Sequence, residues 1–129
     1  MRPSPDPVVV AWLDQRPASE YWLSVITVAE VGLGIALLPD GKRKVGFAEM
    51  AAQMFAEDFS GRCLSFDQEA AVAYARIVAS RKRLGQPISV EDAQIAAIAV
   101  THRYTLATRN VKDFEAIDDL LVLNPWGET

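Results

Sequence analysis

Three segments of the chain set an acidic or amide side chain where a strand should end or a helix begin. They are Ser24-Val-Ile-Thr-Val-Ala-Glu30, Ile88-Ser-Val-Glu-Asp92-Ala-Gln-Ile-Ala-Ala, and Leu106-Ala-Thr-Arg-Asn110-Val-Lys-Asp113-Phe114. Open α/β sheets bind their ligands beyond the carboxyl ends of the strands. Carboxylates gathered there suit a divalent-metal phosphodiesterase, because hard cations take oxygen ligands and stabilise the charge that builds on phosphate. Glu30, Asp92, Asn110 and Asp113 are thus the candidate site residues, expected to converge on one pocket.

Each also has a plainer reading. Thr27-Val-Ala-Glu30 has the form of a capping box, in which Thr27 opens a helix and Glu30 reaches back to its first amides. Ser89-Val-Glu-Asp92 is close to the same pattern, although the small residues after Asp92 let its helix pack near the strand ends. Asn110 and Asp113 follow a strand and serve equally as turn or cap residues. Arg109 and Lys112 either neutralise a carboxylate cluster, contact phosphate, or are simply exposed. Glu91 is read as solvated. His102, the single histidine, has no cysteine beside it to make a zinc site. No nucleophile elbow, P-loop or dinucleotide glycine pattern occurs; Gly32 and Gly34 fall inside a helix and are read as allowing close packing.

The elements that must position these side chains alternate. Val8–Leu13 reads as a short helix with Pro7 in its first turn. Trp22–Ile26 reads as a buried strand, followed by a helix from Thr27 to about Leu38 that Pro39-Asp-Gly41 stops. A second helix is predicted over 42–59 and a strand over 62–66. Asp67 caps a long helix ending in Ser80-Arg-Lys-Arg83, where basic residues suit the helix dipole and Gly85 is the stop. Ser89 starts the next helix; strands at 105–108 and 120–123 flank a short helical turn over 111–117. Strands alternating with helices predict a parallel sheet covered on both faces.

Composition agrees with that class. The chain has 129 residues, half of them hydrophobic, which is one domain's worth of core. Cys63 is alone and cannot bridge internally; its neighbours Leu64 and Phe66 predict a small buried residue. No apolar run approaches the ~18 residues of a membrane span, and the N-terminus lacks the form of a signal peptide, so a cytoplasmic protein is expected. With 17 acidic and 13 basic residues, the formal charge of −4 disfavours avid non-specific nucleic-acid binding and leaves room for a metal-bridged contact or a basic protein partner.

Taken in order, the segments 22–30, Gly34-Ile-Ala-Leu-Leu-Pro39, 87–97, 106–114 and Asn124-Pro-Trp126 resemble the PIN-domain family, and within it the VapC-like toxins of bacterial toxin–antitoxin pairs, the FitB-like subgroup in particular. The similarity runs over essentially the whole chain. It implies a three-layer α/β/α PIN-like fold with a parallel sheet, as one domain over residues 1–129. It also implies a pocket that binds magnesium or manganese and hydrolyses RNA. By resemblance Asp92 is the principal metal ligand, Glu30 is a ligand or orients the attacking water, and Asn110 with Asp113 completes the pocket. Asn110 offers an oxygen without charge, so Asp113 is the further metal carboxylate or supports the site from nearby.

The family pattern begins with a central strand that ends in an aspartate. Here that place is empty: the chain opens on Met-Arg-Pro-Ser-Pro-Asp-Pro, and Asp6 falls in the following linker. The expectation is a longer native chain shortened at its start, and the alternative is a relic that lost the strand. Implied partners are an antitoxin whose basic C-terminal segment masks the acidic pocket, an RNA substrate, and a second copy of the chain. Dimerisation is expected through apolar Trp12, Leu13, Leu37 and Leu38. No membrane partner is expected. The competing readings are a catalytically impaired PIN-fold module retained for binding an antitoxin or another PIN chain, and an unrelated doubly wound domain whose carboxylates are all caps.

Overall fold

The computed structural model describes residues 21–124; the expected helix at 8–13, with Trp12 and Leu13, and the closing Pro125-Trp126 lie outside them. The chain forms two compact units that meet in sequence at Leu64 and Ser65. In each, a pair of parallel strands is flanked by helices, a mixed α/β fold.

In the first unit β1 (Leu23–Ser24) pairs with β2 (Cys63–Leu64), Leu23 donating its N–H to the Arg62 carbonyl at 3.0 Å. Two helices lie between them, α1 (Val25–Ala36) and α2 (Lys42–Gln53), which pack on each other. The strand is shorter than Trp22–Ile26 because Ser24 captures the backbone: its Oγ accepts from the Thr27 N–H at 3.0 Å and lies 3.0 Å from the Thr27 hydroxyl. Ser24, not Thr27, is therefore the N-cap, and the helix begins three residues earlier than the capping-box pattern predicts. After Gln53 the second helix widens into a π-turn, Met54–Asp58. Buried Phe59 follows it, and Gly61 turns the chain at φ +75° into β2. Cys63 is exposed rather than buried, because the two-residue strand turns it away from the core. Gly34 is buried as a packing glycine should be, whereas Gly32 is exposed with no atom near its missing side chain.

The second unit is built on two long helices packed against each other, α3 (Gln68–Arg83) and α4 (Val90–His102). Asp67 caps α3 as predicted, accepting from the Ala70 N–H at 2.9 Å. Its buried stripe is Ala70, Ala73, Ile77 and Arg81, residues that share one face of a helix. Gly85, at φ +71°, ends the turn after α3. The facing stripe of α4 is Ala93, Ala96, Ala97 and Ile98, each at most 1 % exposed. Small side chains permit that close approach, and α4 ends on Arg103 in the left-handed conformation, φ 59°. β3 (Leu106–Ala107) and β4 (Val122–Leu123) pair in parallel through Leu106 N–H to Leu121 O and Thr108 N–H to Leu123 O, both 2.9 Å. Between them a 3₁₀ turn, Val111–Phe114, packs on β4 and α4 with Phe114 buried. Among the described residues no further strand joins either pair.

Candidate functional site

Glu30 belongs to the first unit, on α1. With Ser24 as the cap, it stands six residues into the helix, in the second turn and not the first. A carboxylate there is too far along to serve the first amides, which corrects the capping-box reading and leaves Glu30, half-buried, to some other use.

Asp92, Asn110 and Asp113 belong to the second unit. Ser89 caps α4, its Oγ accepting from the Asp92 N–H at 3.1 Å, which fixes Asp92 in the first turn. That end of a helix favours negative charge. Nevertheless the Asp92 carboxyl is raised above its ordinary value. Burial is the chief cause; the hydrogen bond with Ser89 opposes it, and the charges of Asp113 and Glu91 push it higher still. Asp92 and Asp113 are thus close enough to repel. Among the described residues neither forms an ion pair.

Asn110 precedes the 3₁₀ turn but makes no side-chain cap; its N–H is bound by the Thr108 hydroxyl at 3.1 Å and its carbonyl accepts from the Asp113 N–H at 3.0 Å. The backbone holds the two residues together while the Asn110 amide and Asp113 carboxylate stay exposed. Arg109, Asn110, Lys112, Asp113, Glu115 and Asn124 line an open cleft here. His102 is half-buried and stacks on Tyr104, 5.7 Å between centroids.

Two repelling carboxylates and a nearby amide offer oxygen donors alone. Magnesium commonly takes one or two carboxylates and fills its shell with water, so this donor set fits a water-rich magnesium or manganese site. It is not an all-protein cage: no group of three or more metal-binding side chains occurs among the described residues.

One residue of this region escaped the sequence reading. Arg81, taken as one of three cations complementing the end of α3, is buried and hydrogen-bonded to the backbone that carries Asp113. The signal was present: Arg81 follows Ile77 by four residues and so continues the buried stripe.

Parallel strand pairs with flanking helices define a mixed α/β class. The PIN-domain family pattern matches residues 1–120. The chain belongs to the PIN-domain family, among its VapC- and FitB-type toxins. It is 44% identical to Toxin FitB of Neisseria gonorrhoeae over 126 residues, 98% of this chain and 90% of that one. It is 40% identical over 122 residues to the VapC ribonuclease Y4jK of Sinorhizobium fredii, 95% and 86% of the two chains. Its fold superimposes on a chain of the FitAB complex bound to a DNA fragment with a TM-score of 0.83 at 44% identity, covering 99% of this chain and 89% of that one.

Proposed function

We propose that this protein is a metal-dependent ribonuclease toxin that hydrolyses RNA phosphodiesters and is held in check by an antitoxin. The observation that carries the reading is the half-buried Asp92 carboxyl, which faces the charge of exposed Asp113, with neither in an ion pair among the described residues. It occurs in a chain 40% identical to a VapC ribonuclease. In this reading Asp92 and Asp113 would hold magnesium or manganese, which when bound would supply Lewis acidity toward phosphate and lower the pKa of water; Glu30 keeps the role the family resemblance gives it, a ligand or the group that orients the attacking water. The Asn110 amide orients a water or a phosphate oxygen. Lys112, exposed on the cleft, offers an ammonium to the RNA backbone. The antitoxin's basic segment covers the acidic residues, in keeping with a charge of −4. A second copy of the chain pairs through the α1 region, where Leu33 and Leu37 are exposed at 60 % and 68 %.

The test is RNA cleavage with manganese beside calorimetric metal binding, on the wild type and Asp92→Asn. Expected is metal-dependent cleavage that falls at least ~100-fold in the variant, the scale seen when a catalytic constellation is misplaced. A second reading, a binding module with the nuclease fold but an impaired site, draws on the absence of a three-member metal cluster among the described residues. Manganese binding that ignores Asp92, with antitoxin binding intact, would select it.

A further inference from the structure

We propose that Arg81 is the positioning residue that holds the two acidic segments of the second unit in register, an inference that rests on the metal-dependent reading above. Arg81 is 6 % exposed, the single buried charged residue among those described. Its guanidinium meets no carboxylate there and spends its donors on three backbone carbonyls: Nε on Gln86 O at 2.7 Å, and Nη1 on Asp113 O and Glu115 O, both at 3.1 Å.

Those acceptors lie in different loops. Gln86 sits in the α3–α4 connection, three residues before the Ser89 cap that places Asp92. The bond is reciprocated, since the Gln86 N–H donates to Arg81 O at 2.9 Å. Asp113 and Glu115 belong to the turn after β3. One planar fork therefore ties the approach to Asp92 and the backbone of Asp113 to the same helix end. The second loop has reason to be held. Ala116, directly after Glu115, adopts φ 60°, which a side chain disfavours, between buried Phe114 and Ile117. A guanidinium presents its donors in fixed directions, and an ammonium, though it carries the same charge, cannot reproduce that fork. Two carboxylates that repel each other drift apart unless their backbones are fixed. A clamp on both is what a metal site needs from outside its ligands.

The experiment compares wild type with Arg81→Lys by amide hydrogen exchange, manganese affinity and RNA cleavage. Expected in the variant is faster exchange at 86–92 and 110–116 with α1 unchanged. Manganese affinity should weaken ~10-fold, the lower end for loss of an outer-shell partner, and kcat should fall ~10- to 100-fold at a KM within about threefold of wild type. Exchange that is unchanged in both loops, or raised equally throughout, overturns the proposal. So does cleavage that falls only with the folded fraction. A wild type that neither binds manganese nor cleaves RNA, with the loop-specific exchange present, overturns the nuclease reading and leaves the clamp standing. Should Arg81→Lys not fold, side-chain ¹⁵N spectra of the wild type decide. The clamp predicts an Arg81 Nε–H protected at least ~10-fold over those of exposed Arg76 and Arg83, a protection expected of a buried bond of ordinary length. Equal exchange overturns it.

Discussion

At the scale of single residues, Asp92 joins stability to the proposed function. Its carboxyl is raised chiefly by burial and further by Asp113. A raised acid contributes stability that is fully present below its unfolded pKa, about 3.9, and lost as pH rises through the folded value. At neutral pH the ionised group is therefore a liability. Asp92→Asn should leave the metal-free protein at least as stable as wild type at pH 7, with the difference shrinking below about pH 4. Thermal unfolding in chelator at the two pH values checks this. Glu30 offers a contrasting test. Glutamine satisfies a capping box as well as glutamate does, so Glu30→Gln is harmless if capping is its role. The second-turn position predicts instead a loss of cleavage of ~10-fold or more, in line with a misplaced or lost catalytic contact, measured at saturating manganese.

At the scale of elements, caps decide where the candidate site side chains stand. Ser24 sets the start of α1 and hence the turn on which Glu30 lies; Ser89 does the same for Asp92. Ser24→Ala should cost ~1 kcal/mol, a fall in Tm of about 3–5 °C for a chain of this size, followed by calorimetry. Equal stability in that variant would return the cap to Thr27. The Asp67 cap, by contrast, was legible directly: an aspartate between a glycine-led strand and an apolar-periodic run has few other uses, and its 2.9 Å bond to Ala70 follows.

At the scale of the molecule, the proposed function makes metal a ligand of the folded state. A ligand that binds only the native form at about 100 times its Kd adds ~2.7 kcal/mol, so saturating manganese should raise Tm by about 8–12 °C. Chelator should reverse the rise, and Asp92→Asn should abolish it. A Tm indifferent to manganese in differential scanning calorimetry would remove the metal from the account. Among the described residues no helix is long and apolar enough to cross a membrane.

The α/β class, the order of elements and three of the four helix starts (Lys42, Asp67 and Ser89) were determined by the sequence itself. They depend on periodicity, turn residues and caps acting within a few residues of each other. Strand lengths were not: Trp22–Ile26 contracts to Leu23–Ser24 because the Ser24 cap turns the backbone into the helix and outcompetes β-propensity beyond the two residues that pair with β2. Nor was the exposure of Cys63, which depends on which side of a two-residue strand faces the core. The repulsion between Asp92 and Asp113, and the way Arg81 reaches Gln86, Asp113 and Glu115, join residues up to 34 positions apart. Only the packing of α3 on α4 brings them together, because side chains that distant acquire a relation from the chain's path through space and not from its local rules.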